Sequence, residues 1–482
     1  MKRILLIAFL LVTSASVASA KVELPPIFAD NMVLQQKSDA ALWGKAEPGK
    51  KVTITTTWSK SKVAVTADAQ GKWFARVATP VAGGPYEITF NDGEAFTLKN
   101  VLIGEVWICS GQSNMEMQMK GFKGQPVTGS VDLVLTAKAT TPIRSCNLKR
   151  VKALDPQETC EATWYEHTPE GVFEASATAY FFAKKLYESL QIPIGIINVS
   201  WGGTPIEAWM NPELLKKEFA SELKLGHLDS KVWPEKNPYK APGVLYNGMM
   251  HSVVKYTAKG FIWYQGCDNR KRFEQYKRLQ PAFVQMLRDE WGNQDMAFYF
   301  TQIAPYGYKD KEPNPRFAGY MMWAQAQTLD MIPHSGMAAT HDVGEFACIH
   351  PADKQTVGDR LAYLALSNDY GFNMIDANPP IYESFTVVEV DGVNEALVKF
   401  KVGKQGLCPV STELDGFELA GEDGVFYPAK ARVHKDRKIL RVRCPEVPNP
   451  VAVRYGMFNW SEATVFNCFG IPVSPFRTDN WK

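Results

Sequence analysis

The chain has 482 residues, a formal net charge of +2, 45% hydrophobic residues and 22% charged residues. That length exceeds one compact core and predicts two or three domains. The near-neutral charge leaves no electrostatic footprint for nucleic acid or an anionic membrane surface.

The N-terminus reads as a signal for export. Lys2 and Arg3 precede an apolar run from Ile4 to Val12, and Ala18-Ser19-Ala20 is a small-x-small cleavage site. Residues 1–20 are therefore expected to be a secretory signal peptide, cut near Ala20, delivering the chain to a periplasm or beyond the cell. The run is shorter than the ~20 residues a membrane helix needs, and no membrane span is expected. Export permits disulfides among the eight cysteines, none of which forms a CxxC pair. Cys146 and Cys160 are close enough in sequence for a local bridge.

Residues 21–100 alternate like β-strands. Lys51 to Trp58, Lys62 to Ala67, Lys72 to Val77 and Tyr86 to Phe90 are separated by turn residues, including Asn91-Asp92-Gly93. A small β-sandwich-like module is expected, either bracing its neighbour or binding sugar. Residues 101–372 switch to alternating strands and helices. Apolar strands at 106–109, 194–199, 259–264, 296–303 and 336–340 alternate with helical stretches at 176–190, 271–290, 316–330 and 352–366. That pattern predicts a parallel sheet covered on both faces, an α/β fold whose site lies beyond the carboxyl ends of the strands. Residues 373–482 return to alternating strands and predict a C-terminal β-rich module.

The strand ends carry the chemistry. The first runs into Ser110-Gly111-Gln112-Ser113-Asn114, where Ser113 is either a helix cap or a nucleophile on a tight turn. The second runs into Ser200-Trp201-Gly202-Gly203-Thr204, whose glycines let backbone N–H groups approach a ligand. The third runs into Gln265-Gly266-Cys267-Asp268-Asn269, with amide donors on Gln265 and Asn269 suited to an oxyanion. The last leads to a loop with His341, Asp342, Glu345 and His350, where His350 before Pro351 suits a general base. No HExxH-like spacing accompanies these acids, so no metal is expected.

Gly111-Gln112-Ser113-Asn114, the Gly202 to Trp209 segment, Trp263-Tyr264-Gln265-Gly266 and Ile349-His350-Pro351 resemble the blocks of the sialate O-acetylesterase family. So do Leu24 to Gln35 and Ser474 to Thr478. The resemblance implies an SGNH-type (GDSL-like) three-layer α/β/α domain with no metal or organic cofactor, flanked by the two β-modules. It implies acetyl-ester hydrolysis on O-acetylated sugars or glycans. Ser113 would be nucleophile, His350 base, and the N–H groups of Ser113 and Gly203 with the Gln265 amide the oxyanion hole, which Asn269 would join. Trp201, Trp209 and Met115 are candidates for lining the sugar site. Sialic acid is the type substrate. Acetylated plant polysaccharide such as xylan, or a sugar-binding protein with a lapsed site, are the alternatives. Arg270, Arg272 and Arg316 are candidates for holding a sugar carboxylate.

Two positions depart from the family pattern. Many relatives carry acids where this chain has Cys267 and Cys348, which suggests a Cys267–Cys348 disulfide joining two site loops. Asp342 is then the favoured acid behind His350, with Glu345 or a bare Ser–His dyad as alternatives. Cys109, inside the first strand, is expected to be a buried free thiol.

Overall fold

In the computed structural model, residues 21–308 and 314–481 are described; the expected signal peptide lies outside them. The central sheet is built from β1 (Ala95–Gly111), β2 (Ile143–Leu148), β3 (Ala162–Tyr165), β4 (Ile194–Ser200), β5 (Gly260–Tyr264), β6 (Ala297–Thr301) and β7 (Ser335–Ala338). Their order is β7-β6-β5-β1-β4-β2-β3, parallel except for the antiparallel edge strand β3.

Strands this apolar must be covered on both faces. Trp107 and Cys109 of β1, with Ile262 and Tyr299, pack under α2 (Ala177–Leu190) and α5 (Lys354–Asp369) through Phe182, Ala183, Leu361 and Leu364. The opposite face of β1, Val106 and Ile108, joins the core that contains Phe283 of α3 (Phe273–Trp291) and Met321 of α4 (Phe317–Gln327). The result is the expected α/β/α sandwich. The one-turn helix α1 (Ser113–Glu116) follows directly on β1.

Strand β1 also crosses the expected boundary at residue 100. Its first half pairs antiparallel with Gly83–Asn91, and Leu102–Gly104 pair parallel with Val33–Gln35. Four of the N-terminal strands thus join the hydrogen-bonded network of the central sheet, because one 17-residue strand serves both, while Asp39–Lys45 and Lys72–Ala78 pair only with each other. At the other end, seven antiparallel strands between Ile381 and Arg477 form a separate sheet with its own core around Val398, Phe417, Leu440 and Tyr455. Arg316, at the start of α4, docks this sheet by donating to both oxygens of Glu418 at 2.7 and 2.8 Å.

Register sets the level of the site. Gly111 is the partner of both Ser200 and Tyr264, so β1, β4 and β5 end at one height. Gly111 has φ +138°, and a Cβ there would collide with the Tyr264 carbonyl oxygen, so only glycine lets the chain turn here.

Candidate active site

Ser113 is the first residue of α1, and its Oγ lies 2.8 Å from His350 Nε2. The other ring nitrogen, His350 Nδ1, donates to Gln125 Oε1 at 2.6 Å. With the proton on Nδ1, Nε2 is the acceptor for the Ser113 hydroxyl, the tautomer a general base requires. Phe122 packs its ring edge-on to the imidazole at 5.2 Å. Burial, and then the nearby Lys354, hold His350 down to about 4, so the imidazole is neutral over most of the usable pH range.

Gly202 packs against Ser113, and its N–H donates to Glu116 Oε2 at 2.8 Å. The same carboxylate is ion-paired to Arg150. Gly203 follows in the left-handed region at φ +68°. Among the described residues, the backbone N–H groups of Ser113 and Gly203 donate to no protein acceptor. Trp201, half-buried, stacks on Tyr239 with ring centroids 5.3 Å apart, and Arg150 lies 5.8 Å over its ring. Tyr239 Oη and Lys240 Nζ approach the Cβ position of Gly203, at 3.9 and 4.0 Å. Tyr239 and Lys240 therefore wall the serine side of the site.

Several expectations are corrected. Asp342 does not reach His350: Arg360 donates to both of its oxygens at 2.6 Å, which fixes the carboxylate elsewhere. Nor does Glu345 take that place, since its Oε1 accepts from Ala352 N at 2.6 Å. The group behind the base is the Gln125 amide, on a loop whose irregular sequence gave no signal.

Gln265 and Asn269 are fully buried and their amide groups are engaged by neighbouring protein acceptors. Gln265 Nε2 donates to Thr204 O at 3.1 Å and Asn269 Oδ1 at 2.7 Å, while Asn269 Nδ2 donates to Glu207 Oε2 at 2.9 Å. They brace the Gly202-Gly203-Thr204 turn from beneath instead of pointing at Ser113. Trp209 and Met115 are 0% exposed and belong to the core. Trp209 spends its indole N–H on Thr204 Oγ1 at 3.0 Å.

All eight cysteines are free thiols, so neither Cys267–Cys348 nor Cys146–Cys160 is bonded. Cys348 Sγ lies 3.2 Å from the His350 carbonyl oxygen, and Cys267 is buried with burial pushing its thiol up. The Cys408 and Cys468 thiols lie 2.7 Å apart. Cys109 is a buried free thiol. Arg272 is ion-paired to Glu207, Arg316 is held by Glu418, and Arg270 packs 4.1 Å over the Tyr308 ring. Among the described residues no group of three or more His, Cys, Asp or Glu is placed to hold a metal ion.

The family model for sialic acid-specific acetylesterases, a class of carbohydrate esterase, matches residues 103–367, more than half of the chain. The chain belongs to the sialic acid-specific acetylesterase family. It is a hydrolase of ester bonds. Human sialate O-acetylesterase is 30% identical over 398 residues, covering 76% of this chain and 74% of its own. The mouse sialate O-acetylesterase is 28% identical over 429 residues, covering 76% and 77%. A solved carbohydrate acetylesterase from Xanthomonas citri superposes with a TM-score of 0.85 at 31% identity, covering 96% of this chain and all of the other. Glu116, Asn114 and Lys354 lie beside the site and are not among the residues the sequence singles out. Glu116 had a readable signal: it stands three residues after Ser113 on the same helical turn.

Proposed function

We propose that this family member removes O-acetyl groups from sugars through an acyl-enzyme on Ser113. The observation that carries the reading is the 2.8 Å contact between Ser113 Oγ and His350 Nε2, next to two uncommitted N–H groups. His350 Nε2 takes the hydroxyl proton as Oγ attacks the acetyl carbonyl. The Ser113 and Gly203 N–H groups receive the oxyanion. The imidazolium, its Nδ1–H held by Gln125, then protonates the departing sugar oxygen. Water, deprotonated by the same nitrogen, attacks the acyl-serine and releases acetate.

O-acetylated sialic acid is the type substrate, in keeping with the names of the mammalian relatives. Acetylated plant polysaccharide is the second reading; Arg272 and Arg316, two of the candidates for holding a sugar carboxylate, are already ion-paired to Glu207 and Glu418. The intact Ser113–His350 contact speaks against a lapsed sugar-binding protein. Export by the 1–20 segment brings the enzyme to its glycan outside the cytoplasm. N-terminal sequencing of the exported protein should begin at Lys21.

The test is acetate release, measured in parallel from O-acetyl sialosides, acetyl-xylan and a chromogenic acetate ester. Hydrolysis that Ser113→Ala abolishes supports the mechanism, and the preferred glycan selects the substrate. No hydrolysis of any ester between pH 5 and 9 would sink it.

A further inference from the structure

Asn114, beside the nucleophile, is gripped through both ends of its side-chain amide. Its Nδ2 donates to the Ile349 carbonyl oxygen at 3.0 Å, and its Oδ1 accepts from Lys354 Nζ. Its own carbonyl oxygen accepts from Thr178 Oγ1 at 3.0 Å. Ile349 and Lys354 bracket His350 in sequence. One side chain therefore ties the Ser113 turn to the segment that carries the base.

Lys354 is an unusual residue to find there. It is 1% exposed, and among the described residues no carboxylate lies within ion-pair distance of its Nζ. The neighbouring acids are turned to other donors. Asp353 caps the N-terminus of α5, accepting from Thr356 N at 2.9 Å and Thr356 Oγ1 at 2.6 Å. Glu345 holds Ala352 N. Lysines are almost never fully buried without a charged partner, because an ammonium loses its hydration with nothing to replace it. A lysine kept in that condition beside a reacting pair is a candidate for a part in the chemistry.

We propose that Lys354 is a positioning residue that, through Asn114, sets the Ser113–His350 hydrogen bond and gates the basicity of His350. The proposal rests on the serine mechanism above. Burial pulls the Lys354 ammonium down to about 7. Cys348 and Glu345 on the preceding loop, Asp353 at the helix cap and Cys267 after β5 all act the other way, favouring the cation. Below that pH the cation opposes formation of the His350 imidazolium. Above it the amine is neutral, still donates to Asn114, and no longer opposes proton transfer. Turnover therefore rises in a step near pH 7, separate from the titration of His350 itself.

The test measures kcat and KM for a chromogenic acetate ester from pH 5 to 9, with an organophosphorus reagent titrating the reactive serine. Lys354→Met should keep KM within about twofold, lose about 10–100-fold in kcat at pH 8 through lost alignment, and lose the step near pH 7. Asn114→Asp keeps the lysine and gives it a carboxylate partner, so its step should move about one unit or more to higher pH, whatever the loss in rate. That second variant decides the matter if Lys354→Met does not fold. A Lys354→Met enzyme within twofold of wild-type kcat at pH 8, or either variant keeping the wild-type step, overturns the proposal. Inactive wild-type enzyme with unlabelled Ser113 is a different outcome, and overturns the serine mechanism beneath it.

Discussion

Gln125 gives His350 an acceptor for its Nδ1 proton but no negative charge to balance the imidazolium that the proposed attack by Ser113 would form. A neutral amide fixes ring orientation and tautomer, and leaves charge stabilisation to the surroundings. Gln125→Ala should therefore lower kcat by about 10–100-fold with little change in KM. Gln125→Glu should raise the His350 pKa from about 4, because a neighbouring carboxylate favours the charged ring. The acid limb of the kcat/KM profile then moves to higher pH. Asp342→Asn, by contrast, should leave turnover within about twofold and cost about 1–3 kcal/mol of stability by weakening the Arg360 pair, read by urea denaturation. Sequence reasoning placed Ser113 and His350 in contact range because each sits at a strand end. It misplaced the acid because proximity along a loop says nothing of where a side chain turns, and Arg360 on α5 claims Asp342 first. Gln265 and Asn269 failed for a related reason. A buried amide just past a strand end has protein acceptors such as the Thr204 carbonyl and the Glu207 carboxylate to meet as well as ligands.

At the scale of elements, the site depends on three strands ending level and on the turn that follows β1. Gly111→Ala should be among the most damaging single changes outside the site chemistry, since the added methyl meets the Tyr264 carbonyl backbone, which cannot move without unpairing β5. A loss of about 3 kcal/mol or more, or failure to fold, is expected in thermal denaturation. The helices at 177–190, 273–291, 317–327 and 354–369 were legible because long periodic segments carry their own signal. The strands were legible from their unbroken apolar runs. The break at residue 100 was not, because a strand shared between two sheets reads as two shorter strands when its middle contains Asn100 at φ +55°. The 211–245 segment carries no periodic signal in the sequence. Its return to Trp201 through Tyr239 depends on tertiary packing that no local pattern encodes.

For the whole molecule, the C-terminal sheet docks against the catalytic domain at His341 as well as at Arg316. His341 is 2% exposed, with Nε2 2.7 Å from Ser461 Oγ and its ring 5.4 Å from Tyr455. Burial holds it down to about 4, as it does His350. Both rings are neutral in the folded chain but protonate near 6.5 once unfolded. Their contribution is complete above that pH and is lost as pH falls toward 4. The melting temperature should drop across that window, and His341→Gln should flatten the drop. No helix among the described residues is long and apolar enough to cross a membrane. The central sheet brings the turns that carry Ser113 and Gly203 to one level, and His350 meets Ser113 there. The most direct test of that account is covalent labelling of the enzyme with a fluorophosphonate ester, followed by peptide mass spectrometry. One adduct per chain on Ser113, formed in step with loss of esterase activity and abolished by His350→Ala, is the predicted result. Full inactivation with Ser113 unmodified, or full esterase activity with Ser113 modified, would contradict it.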